Sequence, residues 1–132
     1  MRGTWLAALV AVAALAAPAA AHANEVTHWN RIAMSTLVAF PPPAGGAPPA
    51  LQINMAMTQG AVYDAVNAIG RRHYQPYLLR VRLPFGSREA AAATAAYAVL
   101  SNTVAGVPER IAFSNRAALQ TELDAQYRAS LA

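Results

Sequence analysis

Proline and glycine residues cut this chain into alanine-rich stretches, and these breaks limit its fold more than any other feature. Proline lacks the amide donor that a helix needs and disfavours helical geometry in the residue before it, so helices end at segments such as 41–49. Hydrophobic residues make up 56% of the 132 residues and charged residues 12%. Within the stretches, apolar residues recur at three- and four-residue steps, the spacing of one helix face. The sequence therefore predicts an all-α fold, a partial helical bundle of about four helices with a long irregular loop.

The first two predicted helices flank the proline-rich segment 41–49, and the first spans residues 26–40. The segment itself is predicted to connect helices, and the alternative is a polyproline ligand for an aromatic groove. The second helix runs from residue 49 or 50 to residue 69, with Gly70 placed for a left-handed C-terminal cap. Apolar residues cover most of its circumference, which predicts that this helix lies in the centre of the bundle.

Residues 71–86 lose the helical period and are predicted to form the irregular loop, pinned by the aromatic residues Tyr74, Tyr77 and Phe85. Ser87 is expected to cap a third helix that runs to about Val104 and is ended by Gly106. A last helix follows, with apolar residues that step by four along one face: Leu119, Leu123, Tyr127 and Leu131. On this helix Asp124 and Arg128 are predicted to form an exposed pair one turn apart.

The amino terminus is predicted to be a cleavable secretory signal over residues 1–23. Arg2 supplies the positive start, residues 6–21 form an apolar run, and Ala21-His22-Ala23 has the small-x-small pattern that signal peptidase accepts. A helix needs about 20 apolar residues to cross a bilayer, so a retained anchor is the less favoured alternative. The prediction is an exported protein, periplasmic or extracellular. It has no stable membrane anchor after cleavage and one helical domain over residues 24–132.

The charged residues and the missing residue types exclude several functions. The formal charge is +4, all ten basic residues are arginines, and they are scattered along the chain. This pattern gives no indication of a nucleic-acid partner. Since lysine and cysteine are both absent, we exclude mechanisms that need a lysine, a thiol nucleophile, a disulfide or a thiolate metal site.

Asp64 is the most conspicuous candidate for chemistry, because it lies within an otherwise apolar helix. A buried carboxylate must be paired or hydrogen-bonded. The functional interpretation makes Asp64 a general acid or base with a shifted pKa. In the structural interpretation it receives an arginine or a backbone amide inside the fold. We favour the structural interpretation, because no second carboxylate lies nearby in the sequence.

The remaining candidates also have structural interpretations. His28 and His73 lie on different elements and lack the spacing of metal ligands. The Arg71-Arg72-His73 patch could attract an anion, but cations at the carboxyl end of a helix are favoured by the helix dipole without any ligand. Met55 and Met57 are two residues apart on a helix and point to different sides, so we prefer core packing over copper binding.

Two neighbouring segments give the chain a family resemblance. Residues 56–69, AMTQGAVYDAVNAI, are followed by Tyr74-Gln75-Pro76-Tyr77. Together they resemble the amino-terminal helical region of bacterial vanadium-dependent haloperoxidases, relatives of the PAP2-type acid phosphatases. Trp29-Asn30, the proline-rich segment, the alanine-rich third helix and the closing residues 123–131 add to a resemblance that covers nearly all of the chain after the signal. Its sharpest part, residues 63–69, is a helix-packing pattern.

The resemblance implies a vanadate or phosphate site in a full-length relative. In the family this site uses a lysine and an Arg-Pro pair, a Pro-Ser-Gly-His segment, and a final Ser-Arg segment with a histidine. None of these segments occurs in this chain. We therefore assign the chain no catalytic, cofactor-binding or metal-binding residue, and vanadate is implied only for the full-length relative.

Two hypotheses of function remain. In the first, the chain is the amino-terminal helical scaffold portion of an exported vanadium-dependent haloperoxidase-like protein of the peroxidase/phosphatase superfamily. It is then inactive alone and completed by carboxy-terminal helices that it lacks. Whether the parent oxidises halide or hydrolyses a phosphate ester stays open. In the second hypothesis, the chain is a self-standing exported helical interaction module that associates with itself or with another partner.

Overall fold

The structure is a computed structural model that describes residues 21–70 and 74–132, with side chains from Glu25 onward. It contains four α-helices and one 3-10 turn, in the order α1 (Ala21–Val38), the turn (Pro42–Ala44), α2 (Ala50–Ala68), α3 (Arg88–Ala105) and α4 (Arg116–Leu131). No strand occurs within these two ranges, where Ile69 and Leu83 form an isolated bridge. The predicted all-α bundle of about four helices is confirmed. The predicted signal peptide falls mostly on residues 1–20, outside the described residues.

Local signals place most helix ends where the sequence predicts them. The Ser87 hydroxyl accepts a hydrogen bond from the Ala90 N–H at 3.0 Å and so caps α3, which ends at Ala105 with Gly106 as its C-cap. Gly70 has the predicted left-handed geometry, with a φ of 75°. It does not cap α2, because the C-cap is Ile69 in an extended conformation and the Gly70 N–H donates to the Leu83 carbonyl. The first helix differs, because α1 begins before the predicted residue 26 and ends at Val38, short of the proline run. Phe40 is still buried beyond that end.

The hydrophobic core is built around α3, which packs against α1, α2 and α4. Its buried face consists mostly of small side chains that let neighbouring helices approach closely: Ala92, Ala93, Ala96, Leu100 and Val104. The prediction that α2 lies in the centre is wrong. It packs on α1 and α3, while Ile53 and Met57 on its outer side are 57% and 56% exposed. Apolar residues around a whole helix are buried only where neighbours surround it, and the described chain covers one side of α2.

Trp29 joins the first helix to the last. Its side chain is 1% exposed, and its indole N–H donates to Glu25 Oε1 at 2.9 Å and to Ser130 Oγ at 3.1 Å. A buried indole requires an acceptor for this N–H. The bond to Glu25 lies within α1, and the bond to Ser130 holds the end of α4 against α1.

A polar cluster joins α3 to α4. The rings of Tyr97 and Tyr127 stack with centroids 4.3 Å apart and planes 5° apart. The Tyr97 hydroxyl and the Gln120 amide both donate to Asp124 Oδ1 at 2.8 Å. The bond from Tyr97, then the bond from Gln120 and last the charge of Arg128 lower the pKa of Asp124 below its ordinary value. The predicted partner Arg128 thus acts on Asp124 through its charge alone, and less strongly than the two neutral donors.

Segment 41–49 connects α1 to α2, as predicted, and its Pro48–Pro49 peptide bond is cis. Gly46 lies so close to the end of α1 that a Cβ atom there would overlap the carbonyl oxygen of Phe40. The Phe40 ring in turn packs on Phe113, with centroids 4.9 Å apart, which binds the connector to the segment before α4. No helix in the described part of the chain is both long and apolar enough to cross a membrane.

Candidate functional site

Asp64 is buried on α2 and binds three consecutive backbone amides of the loop that crosses over it. Its side chain is 5% exposed. Oδ1 accepts the N–H of Tyr77 at 2.8 Å, and Oδ2 accepts the N–H groups of Leu78 and Leu79 at 2.7 and 2.8 Å. Hydrogen bonds to an ionised acceptor are among the strongest in proteins. The structural interpretation of Asp64, a carboxylate that receives backbone amides, is confirmed.

Two further side chains of α2 bind the same loop beside Asp64. The Tyr63 hydroxyl donates to the carbonyl oxygen of Gln75 at 3.0 Å, and the Asn67 amide donates to that of Tyr74 at 2.8 Å. We call Tyr63, Asp64 and Asn67 the clasp, and residues 74–86 the crossing loop. Asp64 and Asn67 are three residues apart, so they lie on one face of the helix. The clasp explains why a tyrosine, an aspartate and an asparagine interrupt this apolar helix.

The clasp also changes the acidity of Tyr63. Partial burial, followed by the nearby Tyr77, Asp64 and Tyr74, raises the pKa of the Tyr63 hydroxyl above its ordinary value. Removal of its proton would place a second negative charge beside the Asp64 carboxylate. The hydroxyl therefore stays protonated, which is the form that donates to the Gln75 carbonyl.

Backbone bonds hold the far end of the crossing loop. The Gly70 N–H donates to the Leu83 carbonyl and the Leu83 N–H donates to the Ala68 carbonyl, both at 2.8 Å. Arg82 Nε donates to the Gly70 carbonyl at 3.1 Å. The loop is thus fixed at both ends by polar contacts with α2 and the residues that follow it.

The prediction that aromatic side chains pin the loop is wrong for two of the three rings. Tyr74 and Phe85 are 68% and 88% exposed. Tyr77 is 72% exposed, yet its ring packs against Tyr63 with centroids 5.0 Å apart. The loop is held mainly by its backbone, because the clasp and the Gly70–Leu83 contacts supply partners for its polar groups and leave most side chains outside.

The outer side of the crossing loop is apolar and basic. Leu78 is 90% exposed, and Arg80 and Arg82 are exposed between half-exposed neighbours. Those neighbours, 40 to 51% exposed, are Leu79, Val81 and Leu83. An exposed apolar surface rimmed by polar groups is typical of an interaction site.

A groove lies beside the crossing loop, between the start of α1, the end of α2 and the start of α3. It consists of two adjoining cavities of about 350 and 750 Å³. Both are lined by Val26, Val66, Ile69 and Arg88. The sequence gives no signal for this groove, because its lining comes from separate segments that meet only in the fold.

The other predicted candidates are His28, the Met55 and Met57 pair, and the patch at residues 71–73. Arg71, Arg72 and His73 lie outside the described residues, and the ring of His28 meets that of Trp29 edge-on at 6.3 Å. The Met pair was assigned to the core, but only the Met55 side chain packs against it, whereas the Met57 side chain is 56% exposed. Within residues 21–70 and 74–132, no three histidine, aspartate or glutamate side chains group closely enough to hold a metal ion.

No family model, curated protein or solved structure matches the chain. The site is therefore defined by its own geometry. That geometry combines a buried carboxylate bound to loop amides with an outward apolar and basic surface on the same loop.

Proposed function

We propose that the chain is the amino-terminal helical scaffold portion of an exported vanadium-dependent haloperoxidase-like protein and is inactive alone. One observation supports a scaffold role above the others. Asp64, the only carboxylate in the segment that carries the sharpest resemblance, binds loop amides at 2.7 to 2.8 Å. A segment used in this way organises the fold around it.

The positions of the described arginines agree with this proposal. A tetrahedral oxyanion is held by several converging cationic or hydrogen-bond donors. Arg88 begins α3 and Arg110 follows its end, and a helix of 18 residues separates such ends by about 27 Å. Arg116 donates to the carbonyl oxygens of Ala105 and Val107 at the end of α3. These arginines are thus spread along the bundle, and one of them serves a helix end.

The outer side of α2 fits a helix that another part of a longer protein covers. Ile53 and Met57 are more than half exposed one turn apart on this side. Carboxy-terminal helices of a larger protein would remove these side chains from water, at about 25 cal/mol for each Å² of apolar surface buried.

The second candidate function is a self-standing exported interaction module. The observation that favours it is the outward apolar surface of the crossing loop, where Leu78 and Phe85 are 90% and 88% exposed. The two candidates differ in solution behaviour. A module unfolds cooperatively as a soluble domain, whereas a scaffold portion without its remaining helices aggregates or behaves as a molten globule.

Direct assays test the scaffold proposal. The purified chain is expected to show no peroxide-dependent bromination with added vanadate and no phosphatase activity, and the gene is expected to continue beyond the codon for Ala132 into the missing oxyanion-binding segments. The proposal would be contradicted if the purified chain showed bromination or phosphatase activity and Arg71→Gln or His73→Gln abolished that activity. Tight uptake of vanadate or phosphate by the purified chain would contradict it as well.

A further inference from the structure

We propose that the crossing loop is a docking surface for an anionic phospholipid bilayer, which the chain binds peripherally through the outer side of residues 74–86. The scaffold proposal gives this surface no role, and binding to a bilayer does not depend on the scaffold proposal. It is carried by three properties of the loop: its exposed apolar side chains, its charge and the way its backbone is held.

The exposed side chains of the loop suit the boundary between lipid and water, and two of them, Tyr74 and Phe85, also line the groove beside the loop. Leu78 and Phe85 are almost fully exposed, and Tyr74 and Tyr77 are 68% and 72% exposed. Amphipathic rings such as tyrosine favour the headgroup level of a bilayer, while leucine and phenylalanine favour the acyl boundary below it. In water this surface is unfavourable, and insertion would remove it from water.

The charge of this region indicates the sign of the partner. Residues 65–88 contain five arginines and no aspartate or glutamate. Arg80, Arg82 and Arg88 are exposed in the structure. Each arginine near an anionic leaflet strengthens binding about fivefold, equivalent to about 1 kcal/mol. Two copies of the chain would repel each other through this surface, so the charge favours a lipid partner over self-association.

The backbone of the loop is already prepared for an apolar environment. Backbone N–H and C=O groups that lack partners are costly at the edge of hydrocarbon. The clasp binds the N–H groups of residues 77–79 and the carbonyl groups of Tyr74 and Gln75. The side chains of Tyr77 and Leu78 can therefore enter the headgroup region while their N–H groups stay bound to Asp64. A loop held in this way also loses little conformational entropy on binding.

The experiment needs a readout from the loop itself, because the apolar residues 6–21 of the full chain could also bind lipid. The chain has no cysteine, so Leu78→Cys gives a single site for an environment-sensitive fluorophore. The matched control is Ser114→Cys, an exposed position beyond the far end of α3. Vesicles are made of phosphatidylcholine alone or of an equimolar mixture with phosphatidylglycerol.

We expect the emission of the label at position 78 to shift to the blue only with the mixed vesicles. The emission of the label at position 114 should stay unchanged with both kinds of vesicle. Arg80→Gln in the labelled chain should weaken binding about fivefold, and Arg80→Gln with Arg88→Gln about 25-fold. Arg110→Gln, an exposed arginine beyond α3, should have no effect. Circular dichroism checks the fold of each variant. If the double variant has lost helix, the proposal is judged on the single variant Arg80→Gln.

Four outcomes would overturn the proposal. The first is no shift with either vesicle, and the second is an equal shift with neutral vesicles. The third is a shift of the label at position 114 as large as that at position 78. The fourth is a shift without lipid, either with rising protein concentration or with added polyglutamate, which would assign the surface to a second copy or to an acidic protein.

Discussion

The side chain of Asp64 binds the backbone of Leu78, while the side chain of Leu78 stays in water. The Leu78 N–H donates to the buried carboxylate at 2.7 Å, and the Leu78 side chain is 90% exposed. The same contact thus fixes the crossing loop and presents its apolar surface. A change that releases the crossing loop from Asp64 should therefore also disturb the exposed apolar surface of that loop.

Asp64→Asn should release the crossing loop. Asparagine offers one acceptor oxygen in place of two and has no charge, and its amide group would face backbone N–H donors. We expect a loss of about 2–3 kcal/mol in the free energy of unfolding, measured by urea denaturation. Trypsin should then cut after Arg80 and Arg82 faster than in the parent chain. Glu122→Gln, at an exposed position on α4, is the control and should leave both readouts unchanged.

Tyr63→Phe should change the response to alkaline pH. The pKa of Tyr63 is raised in the folded chain, so the fold binds its proton more tightly than the unfolded chain does. The stabilisation is complete below the unfolded pKa of about 10 and is lost as the pH rises through the higher folded pKa. Urea unfolding between neutral and strongly alkaline pH should therefore show a steeper loss of stability in the parent chain than in Tyr63→Phe. Equal slopes would show that Tyr63 titrates normally.

Asp124→Asn should change the response to acid. The Tyr97 hydroxyl, and after it the Gln120 amide, hold the pKa of Asp124 below its ordinary value. A depressed carboxyl pKa gives stability that is present above the unfolded pKa of about 4 and is lost as the pH falls through the folded pKa. The variant should lose less stability than the parent chain over this acid range. Carboxyl carbon NMR would report the pKa of Asp124 directly, and an ordinary value would contradict the account.

Two glycine-to-alanine substitutions should change the stability of the chain in opposite directions. At Gly46 a Cβ atom would overlap the Phe40 carbonyl oxygen, so Gly46→Ala should cost about 1–3 kcal/mol. At Gly60, inside α2, a Cβ atom meets nothing within 4 Å, so Gly60→Ala should stabilise the chain by about 1 kcal/mol through helix propensity. Thermal unfolding of both variants measures the difference. Equal effects would mean that the connector after α1 differs from the structure.

The sequence predicted the parts of this fold that local chemistry controls. Ser87 caps α3, Gly70 takes the left-handed conformation after α2, and α1 ends before the proline run. In each case one residue type restricts the backbone of its neighbours. Such effects act over a few residues and can be recognised without knowing the rest of the fold.

The packing order of the helices could not be predicted in the same way. The strongly apolar α2 was expected in the centre, but the alanine face of α3 occupies that place. Small side chains give a weak hydrophobic signal while they permit the closest approach between helices. The particular amides that Asp64 binds could not be predicted for a related reason. The amides that Asp64 binds lie 13 to 15 residues further along, and backbone donors carry no signature in a sequence.

Hydrogen exchange of the backbone amides of Tyr77, Leu78 and Leu79 shows whether the Asp64 carboxylate holds the crossing loop. We expect slow exchange at these three amides although their side chains are exposed, and fast exchange at all three in Asp64→Asn. Fast exchange in the parent chain, at the rate of an open loop, would show that the Asp64 carboxylate does not hold the crossing loop.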